Sequence, residues 1–208
     1  MTAAKGLLLV TMEPAAVAEA EFNDWYDTEH IPERAAIPGF NTALRFVCLE
    51  GWPRYLALYD LDEVAVLHGP AYLAHAGNNV TPWSKRVLAG VRGLLRAECV
   101  QSYPGQAVTG SRGAAPRLVM WRFHAMPAGA AARLAPALRA LYEQRPGTLQ
   151  LRIFSSDHAG GAQFALVETA DPAPLYGLDP GALGEAASYL GAINLYAPYY
   201  RNANRPGE

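Results

Sequence analysis

The sequence predicts an α+β protein in which two ferredoxin-like β-α-β-β-α-β repeats pack sheet against sheet as an intramolecular α+β barrel. Two observations lead to this fold class. The strand and helix patterns of the two halves follow the same order. Short segments also recur in register, 107 or 108 residues apart: Pro38-Gly39 as Pro146-Gly147, Leu44–Phe46 as Leu151–Ile153, and Leu56–Asp60 as Phe164–Glu168. The predicted division is a first repeat over 1–104, a linker over 105–115 and a second repeat over 116–208.

Packing the two sheets together follows from where the apolar surface lies. In a ferredoxin-like repeat the helices cover one face of the sheet and leave the other face without a partner. Two independent domains on a flexible linker would leave both of these apolar faces in water. A single barrel is therefore favoured over two separate domains.

The first repeat begins with an apolar strand over Lys5–Met12. A helix follows Pro14, because apolar side chains recur at helical spacing at Ala18, Phe22, Trp25 and Tyr26. Pro32 restricts the residue before it, so this helix is predicted to end or kink near His30.

The remaining elements are assigned from β-rich runs, helical runs and turn residues. The first half adds strands over 41–49 and 54–61 around Gly51-Trp52-Pro53, a helical region over 62–76 broken at Gly69-Pro70, and a strand over 93–103. The second half has strands over 117–124, 148–155, 163–169 and 193–200, and helices over 128–144 and 180–190. The linker is rich in Gly, Ala and Ser.

Composition excludes several classes of protein. With 51% hydrophobic and 17% charged residues, the chain can bury a core and is not intrinsically disordered. A net charge of −2 without clustered basic residues argues against a nucleic-acid partner. The apolar run Gly6–Val10 is too short for a signal sequence or a membrane span. We therefore expect a cytoplasmic protein without a membrane partner, with Cys48 and Cys99 as reduced thiols.

One motif is specific enough to suggest relatives. It reads Phe22-Asn23-x-Trp25-Tyr26-x-x-x-His30-Ile31-Pro32, followed by Pro38-Gly39-Phe40 and Arg45. This pattern resembles the dimeric α+β barrel superfamily, and most closely its EthD-like branch, in which an aromatic-rich first helix ends in His-x-Pro before a strand. The motif covers 22–45, whereas the likeness in fold covers both halves.

The resemblance implies a small-molecule pocket between the sheet and the helices. Relatives include cofactor-free oxygenases, isomerases, cyclases and dehydratases of aromatic or polyketide-like compounds. Others bind haem, and many have no known activity. The second half departs from the pattern, because Leu138 stands where His30 would be. We therefore expect one pocket, in the first half.

His30 is the first candidate for a general acid or base. It extends the Phe22–Tyr26 stripe by one turn, so its ring should point toward the sheet. Glu29 and Glu33 are near in sequence, and a carboxylate would orient the imidazole and raise its pKa. The alternative is that His30 caps the last carbonyls of the helix and is half-solvated.

His75 and Tyr72 are the further catalytic candidates, placed to polarise a substrate carbonyl from the second helical region. His68 is expected in a loop or on the surface. The candidate substrate-binding residues are Phe22, Trp25, Tyr26, Arg45, Tyr55, Tyr59 and Trp83.

Two of these assignments leave alternatives open. Arg45 could pair with a structural carboxylate, Asp60 or Glu98, or bind an anionic substrate group. Its recurrence as Arg152 favours the structural role. Tyr55 and Tyr59 share one strand face, which looks either toward the helices or into the barrel.

The sequence predicts a small-molecule enzyme that uses acid–base chemistry without a cofactor, for dehydration, isomerisation or oxygenation. No metal-binding motif such as His-Glu-x-x-His is present, and no metal site is expected. Two other functions stay open: a non-catalytic protein that binds a small hydrophobic ligand, and a haem-binding protein. The sequence also leaves open whether two copies form a homodimer.

Overall fold

Eight antiparallel strands close into a barrel in the computed structural model, which describes residues 3–15 and 18–200. The strands are β1 (Gly6–Glu13), β2 (Leu44–Glu50), β3 (Tyr55–Leu61), β4 (Arg92–Tyr103), β5 (Arg117–Phe123), β6 (Thr148–Ser156), β7 (Ala162–Thr169) and β8 (Leu190–Pro198). Their order around the barrel is β1-β3-β2-β8-β5-β7-β6-β4. The predicted α+β barrel is confirmed.

The barrel closes where strands of the first half pair with strands of the second. β2 pairs with β8, and β4 pairs with β6, both antiparallel. The interior holds apolar side chains from both halves, among them Leu9, Leu58, Phe154 and Phe164. The sheet faces that each half would otherwise expose are thus buried against each other.

The helices lie outside the barrel, in one layer for each half. They are α1 (Glu19–Trp25), α2 (Ile31–Ala35), α3 (Pro70–Leu73), α4 (Pro82–Ala89) and α5 (Ala128–Tyr142). A π-helical turn over Tyr26–His30 joins α1 to α2. Short 3₁₀ turns occupy Val64–His68, Gly77–Asn79 and Pro180–Tyr189.

The first helix does not end at His30. The predicted irregularity there is a π-helical turn over Tyr26–His30, of the kind that accompanies a kink. The chain stays helical through Pro32 to Ala35, and the Ile31 N–H donates to the Tyr26 carbonyl, five residues back. Pro32 has no N–H to donate to the preceding turn, and it occupies the first turn of α2, where this donor is not needed.

Helix α4 was not anticipated from the sequence. The Thr81 hydroxyl accepts a hydrogen bond from the Ser84 N–H, and Pro82 occupies the first turn. Thr-Pro is a typical helix start, so this signal was present in the sequence. The predicted strands agree with the observed ones to within a few residues.

The predicted linker is held against one end of the barrel. The N–H and the hydroxyl of Thr109 both donate to Asp60, and the Gly110 N–H donates to Glu168. The chain leaves β4 at Tyr103 and enters β5 at Arg117.

Candidate functional site

The candidate site lies in the helix layer of the first half. Tyr55, Ala57 and Tyr59 of β3 face the helices, whereas Leu56 and Leu58 face the barrel interior. The strand therefore presents its tyrosines to α1 and the π turn. Of the two directions that the alternation along β3 left open, the tyrosine face therefore looks toward the helices and not into the barrel.

His30 stands in a cluster of aromatic rings. Its ring centroid lies 4.4 Å from that of Trp25, 5.3 Å from Tyr26 and 6.4 Å from Tyr59. The cluster continues from Tyr59 to Phe40. The predicted direction of His30, toward the sheet, agrees with these contacts.

The charge state of His30 differs from the expectation. Its Nδ1 is buried without a hydrogen-bond partner. Burial, and then the positive charges of Arg34 and Arg45, lower the pKa of His30 to about 3. The predicted rise is wrong because the nearby carboxylates bind elsewhere: Glu29 accepts from Thr81 and Ser84, and Glu33 binds His75.

Arg34 is a site residue that sequence reasoning missed. Its Nη2 donates to the His75 carbonyl at 2.7 Å, and its guanidinium lies 5.1 Å from the Tyr72 ring centroid. Its Nη1 is buried without a partner. The signal was its position four residues after His30, which places the two on neighbouring turns of one helix face.

Two tyrosines supply hydroxyl groups to the same cluster. Tyr59 Oη is buried with no hydrogen-bond partner of good geometry, although the Tyr26 hydroxyl lies near it. Burial raises the pKa of Tyr26 to about 12 and the pKa of Tyr59 well above its usual value. Both hydroxyls therefore stay protonated at neutral pH and can donate hydrogen bonds.

Arg45 is held by the helix layer. Its guanidinium donates to Asp27 Oδ1 and to Asn23 Oδ1, each at 2.6 Å. Four aromatic rings surround it, with the Tyr26 centroid nearest at 4.3 Å. Arg45 thus pairs with a carboxylate of the protein, as its recurrence favours, but with Asp27. The two carboxylates named from the sequence pair elsewhere, Asp60 with Arg152 and Glu98 with Arg96.

His75 and Tyr72 lie at the edge of the cluster. His75 is half-exposed, and its Nδ1 lies 2.7 Å from Glu33 Oε1. The Tyr72 ring stacks on Phe40, and its hydroxyl accepts from Arg96 at 3.1 Å. Arg34 contacts both residues, so the structure brings them to the site through that side chain. His68 lies at the surface beside Glu98, as expected.

The residues expected to wall an open pocket pack against each other instead. Phe22, Trp25, Tyr26 and Tyr59 are at most 2% exposed, and the Trp25 indole N–H donates to Ser84 at 3.0 Å. A cavity of only about 50 Å³ lies beside Phe22. Trp83 is partly exposed, and its buried Nε1 has no partner.

Larger cavities lie away from His30. One of about 520 Å³ is lined by the linker, Glu143 and the start of β6. Another, of about 580 Å³, lies at one end of the barrel. The first-half pocket that the sequence predicts is thus filled by large aromatic side chains, and its place as the functional pocket stays a prediction.

Neither a metal centre nor a membrane-crossing helix is found in the part of the chain that the structure describes. No group of three or more His, Cys, Asp or Glu side chains there could hold a metal ion. No described helix is long and apolar enough to cross a membrane.

Comparison with solved structures identifies the architecture. An anthrone oxidase-like protein superposes with a TM-score of 0.68 at 12% identity, covering 95% of this chain and 92% of that one. The chain has the dimeric α+β barrel fold. A chlorite dismutase variant from Candidatus Nitrospira defluvii shares this dimeric α+β barrel, with a TM-score of 0.60 at 10% identity over 96% and 92% of the chains. A heme-binding protein from Thermus thermophilus has the same fold. It superposes with a TM-score of 0.56 at 8% identity, covering 95% of this chain and 92% of that one.

Sequence comparison adds a more limited similarity. Core atranone cluster (CAC) protein 1 of Stachybotrys chlorohalonatus (strain IBT 40285) is 33% identical over 79 residues, which are 36% of this chain. The match spans 33% of the length of that curated relative. No family model matches this chain. The assignment to the EthD-like branch stays a prediction.

Proposed function

We propose that the chain is a small-molecule enzyme that acts on an aromatic or polyketide-like compound. It removes a proton from a carbon that a carbonyl group activates, either directly or through a conjugated ring. The observation that carries this proposal is a group of buried polar atoms without partners: His30 Nδ1, Tyr59 Oη and Arg34 Nη1. Buried polar atoms in folded proteins are almost always hydrogen-bonded. Asp27 Oδ2 and Trp83 Nε1 in the same helix layer also lack partners, and such a concentration of exceptions indicates groups that bind a ligand.

The three groups have complementary chemistry. His30 is neutral at physiological pH, so its lone pair is free, but its low pKa makes it a weak base in the packed cluster. The negative charge of the enolate that forms beside it must therefore offset the burial and the Arg34 and Arg45 charges, which disfavour the imidazolium. The carbonyl oxygen then becomes an enolate oxygen, and the Arg34 guanidinium and Tyr59 hydroxyl are donors that can stabilise it. The imidazolium and the enolate form together, so the site keeps its net charge.

The packed rings are compatible with a flat substrate that enters from the edge of the cluster. Ile31, Phe40 and Trp83 are only partly buried there, so they are the side chains that must move to admit it. Aromatic faces would pack on both sides of a planar substrate. Arg45 acts as a positioning residue, because Asp27 and Asn23 already bind its guanidinium.

Removal of a proton from such a carbon can be the first step of a dehydration, an isomerisation or an oxygenation. The name of one structural neighbour, an anthrone oxidase-like protein, supports oxygenation of a polycyclic ketone. For anthrone the balanced reaction is C₁₄H₁₀O + O₂ → C₁₄H₈O₂ + H₂O. His30 takes the first proton from the CH₂ carbon opposite the carbonyl, and dioxygen accepts electrons from the resulting enolate.

Anthrone is therefore the probe for the test. Under nitrogen in D₂O, the chain should speed exchange of the CH₂ protons of anthrone, measured by NMR. In air it should speed formation of anthraquinone, measured by absorbance. His30→Gln should lower both rates about 10²- to 10⁴-fold, because general-base catalysis contributes on that order. His124→Gln, an exposed histidine of the second half, is the matched control.

Equal rates for the wild-type and His30→Gln chains would contradict this proposal. Binding of anthrone without faster exchange would instead favour a non-catalytic binding protein. A histidine-ligated haem does not fit the residues present. His30 is packed between Trp25 and Tyr26 in a helix layer where the cavity beside Phe22 measures only about 50 Å³. The other histidines lie at the surface or beside carboxylates: His68, His75, His124 and His158. Neither the cavity of about 520 Å³ nor the cavity of about 580 Å³ is lined by a histidine.

A further inference from the structure

A cavity of about 580 Å³ lies at one end of the barrel, outside the helix layer that contains His30. It lies where β2 and β5 begin and where β7 and β8 end, under residues 109–116 of the linker. Small-molecule sites in proteins usually measure about 300–1,000 Å³ and have mostly apolar walls with a few polar groups. This cavity meets both criteria.

The walls of the cavity are continuous with the barrel interior. Leu44, Phe46 and Leu118 line it, and all three belong to the interior apolar cluster. Ala115 and Pro116 line it from the linker side. A flat apolar molecule can therefore lie between the linker and the interior side chains without exposing apolar surface to water.

Glu168 supplies the polar end of this cavity. Its residue is 2% exposed, and its carboxylate accepts from Gln150 Nε2 and from the Gly110 N–H, each at 2.8 Å. A carboxylate offers about four acceptor positions, so it can accept a further hydrogen bond. Burial raises the pKa of Glu168, and the charge of Arg152 and the hydrogen bonds from Gly110 and Gln150 partly offset this rise.

The surrounding charges decide what kind of ligand fits. Asp60 lies in the same buried network, because Arg152 binds both Asp60 and Glu168. An acidic group beside Glu168 would bring a third negative charge to Arg152. The two arginines that line the cavity, Arg45 and Arg117, already donate hydrogen bonds to Asp27 and Asn23 and to the Pro116 carbonyl. A hydroxyl group brings a donor and no charge, and a phenolic O–H is a strong donor to a carboxylate.

We propose that this cavity is a second small-molecule site, which binds a flat apolar compound through a hydroxyl group that donates to Glu168. The site is independent of the reaction proposed at His30. Arg45 lines this cavity as well, but His30, Arg34 and Tyr59, the groups proposed to touch the substrate of that reaction, do not. Its ligand class is a polycyclic phenol.

The test uses the full chain and two matched fluorescent probes, 1-hydroxypyrene and 1-methoxypyrene. The methyl ether keeps the ring and the oxygen but lacks the donor. We expect saturable binding of 1-hydroxypyrene in a fluorescence titration, and binding about tenfold weaker for 1-methoxypyrene, the effect of one lost charge-assisted hydrogen bond. No binding of 1-hydroxypyrene, or equal binding of the two probes, would overturn the proposal.

A cavity-filling variant locates the site. Ala115→Phe places a ring in the cavity from the linker, without changing the charged network, and should weaken 1-hydroxypyrene binding at least tenfold. Leu44→Phe fills it from β2 and is the second variant, should the first fail to fold. Ala132→Phe, exposed on α5, and His30→Gln should both bind as the wild type does.

Three results would refute this location. The first is wild-type binding by both cavity-filling variants with unchanged unfolding midpoints. The second is loss of binding in His30→Gln, which would place the probe in the helix layer. The third is binding only after residues 201–208 are removed, which would assign the cavity to the chain's own C-terminal residues. If the proposal is right, His30→Gln keeps the binding of 1-hydroxypyrene even though it loses the reaction proposed at His30. Failure of the second-site proposal can therefore be distinguished from failure of the proposed reaction.

Discussion

His30 connects burial with acid–base chemistry at the scale of one residue. Its pKa falls from 6.5 to about 3, mainly because burial disfavours the charged ring. We therefore expect the His30 ring signals in NMR spectra to show no titration above pH 5. A midpoint at pH 6 or higher would contradict both the burial and the assignment of His30 as a neutral base.

The same shift gives stability a pH dependence with a definite sign. Between pH 6.5 and about 3 the unfolded chain binds a proton at His30 that the folded chain does not bind, so the free energy of unfolding falls as the pH falls through this range. Urea unfolding at pH 7 and at pH 4.5 should show a larger loss of stability for the wild type than for His30→Gln. Equal losses would mean that His30 is not buried in its neutral form.

The direction of a side chain could be predicted from the sequence where spacing alone decides it. The i, i+4 spacing put His30 on the aromatic face of the helix, and alternation along β3 put Tyr55 and Tyr59 on one face. Spacing could not give the pKa of His30, because Glu29 and Glu33 are near it in sequence but bind Thr81 and His75. Partners of a side chain depend on tertiary packing, which sequence distance does not reveal.

At the scale of elements, the strands were predictable because they are apolar on both faces or alternate regularly. The first helix continues past His30 because Pro32 lies in the first turn of α2, where a proline is tolerated, so the predicted irregularity is a π-helical turn and not a helix end. The contacts of the linker could not be predicted, because its Gly, Ala and Ser content does not show that the N–H groups of Thr109 and Gly110 bind Asp60 and Glu168. Those contacts join segments that are far apart in sequence.

The buried network at this end of the barrel makes a stability prediction. Arg152 and Asp60 are each 0% exposed and form an ion pair. Asp60→Asn leaves the Arg152 charge without its full counter-charge, and breaking such a buried pair costs about 3–5 kcal/mol. Chemical unfolding should show this loss.

Asp62→Asn is the matched control, two residues along the chain. Asp62 pairs with Lys5 at the surface, where its side chain is 60% exposed. Exposed pairs contribute about 0–1 kcal/mol, so this variant should keep nearly all of the wild-type stability. Equal losses in the two variants would show that burial of the Arg152–Asp60 pair does not decide its effect.

At the scale of the whole molecule, the barrel is one folding unit made from two repeats. Backbone hydrogen bonds join the halves along β2–β8 and β4–β6, and both halves contribute to the interior. Division at 1–104 and 116–208 is therefore proposed as a duplication of sequence, and not as two domains that fold separately.

Cutting the linker tests this proposal. Residues 111–114 are exposed, so a recognition sequence for a specific protease, inserted between Arg112 and Gly113, leaves the contacts of Thr109 and Gly110 in place. After cleavage the two fragments should elute together from a sizing column and unfold in one transition, because separating them exposes the apolar interior to water. The chain without the insertion, treated with the same protease, is the control. Fragments that separate in native buffer would show two independent domains, and the barrel interior would then not be what holds the halves together.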